Sequence, residues 1–255
     1  MSAISQEELI QDCMERYTPS TSNTQATCFG RFINFAEAIG LEGMVQDELD
    51  ILDIGSGLVW GENYEIPEII AYLHHHGKTI QTLRIVDRSP EVLEAIKQQI
   101  GLCVHLHANK RFGLFEEHFI EMWDRYVEMT PDVNQDNNSC NMGEIFTAQL
   151  PSTYDRIARM DFQCADIATY TDKQQYDLIV CRHVLYQLDE SGQELAISNI
   201  SKLMRPGALL LIGKPADYDI DLESENREWK KRYGLEYADG LIREGAKMVI
   251  RKVSV

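Results

Sequence analysis

The stretch Ile51-Leu52-Asp53-Ile54-Gly55-Ser56-Gly57 constrains this chain more than any other. Its apolar run, β-branched at Ile51 and Ile54, reads as a strand buried on both faces, the kind found in parallel sheets. The two glycines that follow let the backbone turn sharply and come close to a ligand. In open α/β sheets ligands bind at that carboxyl end of the strands. Asp53 stands inside the apolar run, where a carboxylate is costly unless it meets N–H groups or a ligand cation.

A Gly-x-Gly turn has two common uses, and the neighbouring residues weigh against both. The dinucleotide fingerprint needs a third small residue so that helix and strand can pack closely. That position holds Trp60. A phosphate loop would end in Gly-Lys-Ser/Thr, which is absent. A tight turn in some other α/β domain stays open at this point.

The chain has 255 residues with 44% hydrophobic and 25% charged, enough for one doubly wound domain with an insertion. Its net charge of -17 disfavours nucleic acid and anionic membranes as partners. The short Arg227–Arg232 cluster reads as a solvated helix face. The cysteines at 13, 28, 103, 140, 164 and 181 form no C-x-x-C pair, and no apolar run is of membrane-spanning length. A reduced, cytoplasmic compartment is expected, with Cys164 and Cys181 as small core residues.

Residues 1–48 read as a helical segment, with apolar spacing over Gln6–Tyr17 and Phe29–Gly40. It either caps the ligand cleft or covers a sheet face. After strand Ile51–Gly55, Pro67 suits the first turn of a helix over Glu68–His76. Three consecutive helical residues point about 100° apart, so His74-His75-His76 cannot converge on one metal ion and read as a solvated helix end. Strand Gln81–Val86 ends in Asp87, placed to accept hydrogen bonds from both hydroxyls of a ribose, or else to cap the next helix. Ser89 is the expected N-cap of that helix and Pro90 its first residue, with Arg88 at the mouth of the site.

Residues 110–160 break the strand–helix rhythm. Phe112–Met129 forms an amphipathic helix, Pro131–Gly143 is a polar loop, and Ile145–Met160 is helical at least in part. Long loops of this kind are often lids, so a cover over the acceptor pocket is the expectation. Strand Phe162–Ile167 then carries Asp166. Tyr176–Cys181 is a central strand, with Arg182 and His183 emerging at its end. Helix Ser191–Leu203, the turn Arg205-Pro206-Gly207, strand Ala208–Gly213 and helix Tyr218–Lys231 follow. Tyr233–Tyr237 and Lys247–Val253 alternate like a closing antiparallel pair.

The order Leu52-Asp53-Ile54-Gly55-Ser56-Gly57, Val86-Asp87, Ala165-Asp166-Ile167, Tyr176-Asp177-Leu178-Ile179 and Leu203-Met204-Arg205-Pro206-Gly207-Ala208-Leu209 resembles the class I S-adenosylmethionine (SAM)-dependent methyltransferases over residues 50–253. A finer likeness runs to the CheR-type protein-glutamate methyltransferases. It rests on Gly61-Glu62-x-Tyr64 and on Cys181-Arg182-His183-Val184-Leu185-Tyr186. The chain departs from that family at His183, where the family has Asn. It departs again at Gln187, where the family's acceptor-side tyrosine falls. No basic receptor-docking domain is recognisable in the first 48 residues.

The resemblance implies an α/β, Rossmann-like fold: a seven-stranded, mostly parallel sheet with an antiparallel final hairpin, helices on both faces and a helical insertion. It implies SAM as cofactor, S-adenosylhomocysteine (SAH) as product, and a small-molecule or protein methyl acceptor. The cofactor-binding set it implies is Asp53, Gly55, Ser56, Gly57, Asp87, Arg88, Asp166, Ile167, Cys181 and Arg182. In it, Asp53 and the glycine backbone hold the methionine portion and ribose. Asp87 holds the ribose hydroxyls, Asp166 meets the adenine amino group, and Ile167 lies against the ring. Arg182, His183 and Tyr186 face the methyl side, with His183 and Tyr186 the catalytic candidates. His183 is the candidate base for a hydroxyl or amine acceptor, because its unperturbed pKa lies near working pH. No metal is expected. A non-catalytic SAM- or partner-binding module on the same fold is the alternative, and a nicotinamide oxidoreductase is the third reading.

Overall fold

The computed structural model describes residues 36, 39–55, 65–90, 92–94, 96–97, 100, 154–181, 184–185, 188–213, 222–237 and 247–253. The expectations for the N-terminal helices before residue 36, for the aromatic helix Phe112–Met129 and for the loop Pro131–Gly143 lie outside them. The chain divides into two compact units. One gathers Met1–Gly40, Gly57–Gly77 and Glu94–Arg156; the other gathers Leu41–Ser56, Lys78–Leu93 and Ile157–Val255.

The second unit contains the sheet. A single helical turn, α1 (Leu41–Met44), leads into β1 (Glu48–Ile54). β2 (Thr79–Asp87), β3 (Arg159–Cys164), β4 (Tyr176–Cys181) and β5 (Met204–Gly213) follow in sequence, with helix α3 (Glu190–Leu203) before β5. Helix α4 (Leu222–Tyr233), β6 (Leu235–Tyr237) and β7 (Lys247–Lys252) close the chain. The seven strands lie in the order β3-β2-β1-β4-β5-β7-β6. β1 to β5 pair in parallel, and β7 runs antiparallel to both β5 and β6. This is the sheet that the resemblance implied.

The central strands are apolar because both their faces are buried. One face presents Leu52, Ile54, Val86, Ile179, Cys181, Leu210 and Ile212 to a core that also holds Ala196, Ile197 and Ile200 of α3. Their alternates Ile51, Leu178, Val180, Leu209 and Leu211 are buried as well. Each fully buried aliphatic side chain contributes roughly 1.5–3 kcal/mol. That continuous burial is why these strands read as unbroken apolar runs.

The boundaries differ from the sequence expectation where a local interaction decides them. Helix α3 starts before Ser191, because Asp189 is its N-cap and accepts from Gly192 N at 2.8 Å. Of the segment Ile145–Met160, expected to be helical at least in part, residues 145–153 lie outside the described residues, residues 154–156 form a turn, and Arg159–Met160 already belong to β3. β3 ends at Cys164, so Asp166 lies beyond the strand rather than in it. Arg205-Pro206-Gly207 is a bulged start to β5 rather than a separate turn. Proline offers no N–H to the ladder and Gly207 has φ 84°, so Met204 pairs with Tyr176 and the next pair is Leu209 with Leu178.

In the first unit, helix α2 (Glu65–His75) is the longest described element. Ile66, Ile69, Ile70 and Leu73 are buried at helical spacing, and Tyr72 donates to the Ala36 carbonyl. Gly77, at φ 75°, ends this stretch, its N–H bonding to the His74 carbonyl. The histidine run is solvated only in part. His75 and His76 are exposed, but His74 is 8% exposed and neither ring nitrogen has a hydrogen-bond partner among the described residues. Burial, assisted by the charge of Arg156, lowers its pKa to about 4.

A histidine held neutral below its usual 6.5 makes the folded state acid-labile. Its contribution is complete above the unfolded value and is lost as pH falls from 6.5 toward 4. About 2–3 kcal/mol should disappear over that interval. Urea unfolding at pH 7.5 and pH 4.5 measures it, and His74→Leu should flatten the difference. An equal pH dependence in the variant would assign the lability to other groups.

Candidate active site

The strand order creates a crevice before any side chain is considered. β1 lies between β2 and β4, so the chain leaves β1 toward β2 and later returns to β1's other side. Such a switch point, at the carboxyl ends of parallel strands, is where α/β sheets bind ligands.

Gly55 stands at that point. Its φ is 65°, a conformation that favours glycine, and its N–H donates to the Val86 carbonyl at 2.8 Å. A Cβ at this position would lie 2.3 Å from Val184 Cγ2. The first neighbour of the turn is therefore a protein side chain. Asp53 is 2% exposed, in register with Ile85 on β2 and Val180 on β4. Cys181 is fully buried, and burial together with the Asp53 carboxylate pushes its thiol pKa up. The thiol stays protonated, which removes it as a nucleophile. Its side chain is core, so only its main chain is left for a ligand.

Asp87 closes β2. Its Oδ1 accepts from Ser89 N at 2.8 Å, and its carbonyl accepts from Ala165 N at 3.0 Å. Ser89 is the N-cap, with Oγ accepting from Val92 N at 3.2 Å. Helical residues follow between 90 and 100, with Leu93, Ile96 and Ile100 buried. Asp87 thus orders the turn through Oδ1. Arg88 follows at the strand end, where its carbonyl faces Cys164 Sγ at 3.6 Å.

The loop after β3 is rigid for reasons the motif alone did not reveal. Asp166 Oδ1 accepts from Ala168 N at 2.8 Å, and its carbonyl accepts from Tyr170 N at 2.8 Å. Asn199 of α3 donates to the carbonyls of Ile167 and Ala168 at 3.1 and 2.6 Å. Ile167 points into the core at 5% exposure, whereas Asp166 is exposed. Asn199 is the residue that sequence reasoning missed. Its only signal is a polar side chain three residues after buried Ala196, beside buried Ile200.

Asp166 also borders an open cleft of about 410 Å³, shared with Arg84, Gln163, Thr169, Tyr170 and Asp172. Arg84 joins Asp172 and bonds Asp161 at 2.9 Å, while Tyr170 and Tyr176 donate to Asp172 at 2.9 and 2.6 Å. Burial alone would raise the Asp172 pKa. Hydrogen bonds from Tyr176, Gln174 N and Tyr170, with the Arg84 charge, outweigh it and hold the carboxyl at about 2. This saturated network ties the loop to β2 and β4.

The structure therefore brings Asp53, Gly55, Asp87, Arg88, Asp166, Ile167 and Cys181 to the carboxyl edge of β1–β4. Ser56, Gly57, Arg182, His183 and Tyr186 lie outside the described residues. Among the described residues no cluster of side chains could hold a metal ion, and no helix is long and apolar enough to cross a membrane.

Residues 154–231 match the family described as CheR methyltransferase, SAM binding domain, a span running from just before β3 into α4. No curated protein matches the sequence. Among solved structures, the chain is similar to magnesium protoporphyrin IX methyltransferase (ChlM) from Synechocystis PCC 6803 with bound SAM. The identity is 13%, over 100% of both chains, with a TM-score of 0.49. It is also similar to N-methyltransferase NodS from Bradyrhizobium japonicum WM9 in complex with SAH. There the identity is 14%, over 96% of this chain and 98% of that one, with a TM-score of 0.47. A TehB-like SAM-dependent methyltransferase from Corynebacterium glutamicum ATCC 13032 Kitasato is 16% identical over 98% of both chains, with a TM-score of 0.46. Likeness at this level says nothing about the acceptor. The seven-stranded, mostly parallel sheet with its antiparallel closing strands is the fold that the class I methyltransferase motifs implied, and residues 154–231 are similar to the SAM-binding domain of the CheR methyltransferases.

Proposed function

We propose that this chain transfers a methyl group from SAM to an oxygen or nitrogen nucleophile, either a protein carboxylate or a small molecule. The observation that carries the reading is the positive-φ glycine turn at the switch point, flanked by Asp53 and Asp87 at adjacent strand ends. The residues present fit the cofactor. Asp87 offers a half-buried carboxylate at the end of β2, and Asp166 offers an exposed one.

Bound SAM supplies an electrophilic methyl on a sulfonium. The chain's part is to hold and orient. Asp53 and the Gly55–Ser56–Gly57 backbone take the methionine portion and ribose, Asp87 the ribose hydroxyls, and Asp166 the adenine amino group. Arg88, Ile167 and Cys181 complete the cofactor wall, the last two through their main chain. Arg182, His183 and Tyr186 face the acceptor. An ionised carboxylate needs no base, and alignment supplies most of the rate. For a hydroxyl or amine, His183 takes the proton.

Calorimetric titration with SAM, SAH and NAD tests the reading. SAM and SAH should bind and NAD should not; binding of NAD alone would overturn it. Asp87→Ala should weaken SAH binding by about one to two decades through loss of charge-assisted hydrogen bonds. Asp87→Asn, which keeps an acceptor for Ser89 N, separates the ligand's loss from the turn's. An unchanged dissociation constant in both folded variants would remove Asp87 from the site.

A further inference from the structure

We infer that Val184 is a positioning residue: its Cγ2 methyl fills the space left by the missing Cβ of Gly55 and locks the cofactor turn to the segment carrying His183 and Tyr186. This rests on the SAM reading of the site. A Cβ on Gly55 would find Val184 Cγ2 at 2.3 Å, but Val184 Cβ at 3.7 Å and Cγ1 at 3.9 Å. One methyl therefore makes the close contact, and the rest of the side chain stands at ordinary packing distance. The same side chain packs against the core formed by Leu52, Ile54 and Cys181. Its partner is fixed on the other side, because Gly55 N is bonded to the Val86 carbonyl.

The contact joins two loops with separate duties. Gly55 opens the turn after β1, on the cofactor side. Val184 directly follows His183 and precedes Tyr186 by two positions, on the acceptor side. Neither strand end reaches the other through the ladder at this level, since β1 and β4 pair only from Ile51–Leu178 to Asp53–Val180. Beyond that last pair the Val184 methyl supplies a contact between the two loops. Displacement of a positioning contact by a fraction of an ångström is enough to lower an alignment-dependent rate.

The test is a double-mutant cycle read by SAH binding and thermal unfolding. Val184→Ala should weaken SAH binding about tenfold in a protein that remains folded, and Val184→Ile, which keeps both carbons on Cβ, should restore it. Gly55→Ala should lose binding. The pair Gly55→Ala with Val184→Ala should bind better than Gly55→Ala alone, because the 2.3 Å contact is gone and only the 3.7 Å neighbour remains. A double variant no better than Gly55→Ala would overturn the lock. So would a folded Val184→Ala with an unchanged dissociation constant, since simple packing would lower stability without touching affinity. Failure of the unaltered protein to bind SAH would instead sink the cofactor reading.

Discussion

Gly55→Val should abolish SAH binding and destabilise the fold by roughly 2–6 kcal/mol. Two costs add. A β-branched residue at φ 65° is strained wherever it stands, and its Cβ would meet Val184 Cγ2 at 2.3 Å. The sequence suggested close approach of the backbone to a ligand as the reason for a glycine here. The geometry puts the first collision inside the protein, so the turn must move even with no ligand present. Binding and stability should therefore fall together. Urea unfolding monitored by circular dichroism, with calorimetry on the folded fraction, separates the two. A variant of normal stability that merely fails to bind would return the cause to the ligand side.

Arg205→Ala should have the second large effect, and on stability alone. Arg205 joins Asp177 through Nη1 and bonds Asp50 at 2.6 Å through Nη2, while Asp50 N donates to Asp177 at 2.8 Å. Asp177 is 6% exposed and Arg205 39% exposed. Removing the cation leaves a buried carboxylate with one backbone donor, which should cost about 3 kcal/mol, the low end for a broken buried pair because solvent reaches the arginine. Asp177 is the second residue of β4 and Arg205 the second of β5, so the cluster lies at the amino end of the parallel strands. SAH affinity should be unchanged at a temperature where the variant is folded. Asp177→Asn in the Arg205→Ala background should recover part of the loss. A stable Arg205→Ala protein would show that water already carries the cluster.

That cluster marks one limit of what the motifs conveyed. Tyr176-Asp177-Leu178-Ile179 and Arg205-Pro206-Gly207 were legible as family signatures, but their charged members serve each other at the far end of the sheet. Linear order cannot show that residues 28 apart in sequence form an ion pair. Asp172 is similar. Nothing near it in sequence announces that Arg84, 88 residues earlier, would neutralise it. Ile145–Met160 read as helical at least in part; its end, Arg159-Met160, is strand because apolar spacing over a few residues fits either period and pairing with β2 decides it.

The sequence by itself determined the sheet. Apolar runs at 51–54, broken only by Asp53, at 178–181 and at 208–212 are satisfied by burial on both faces. The Gly55-Ser56-Gly57 turn after the first of them marked where the crevice opens. The acids at 53, 87 and 166 were readable as candidate site residues because they interrupt or follow the apolar runs of their strands. Tertiary structure alone decided what the side chains next to them do. Ile167 and Cys181 turn into the core, Asn199 pins the loop behind Asp166, and His74 is buried while its neighbours are solvated. Val184 lies against Gly55 only because β1 and β4, far apart in the chain, are adjacent in the sheet. Local patterns record which residues must leave water. Which partner each one meets is set by strand order and register, and those are properties of the whole chain.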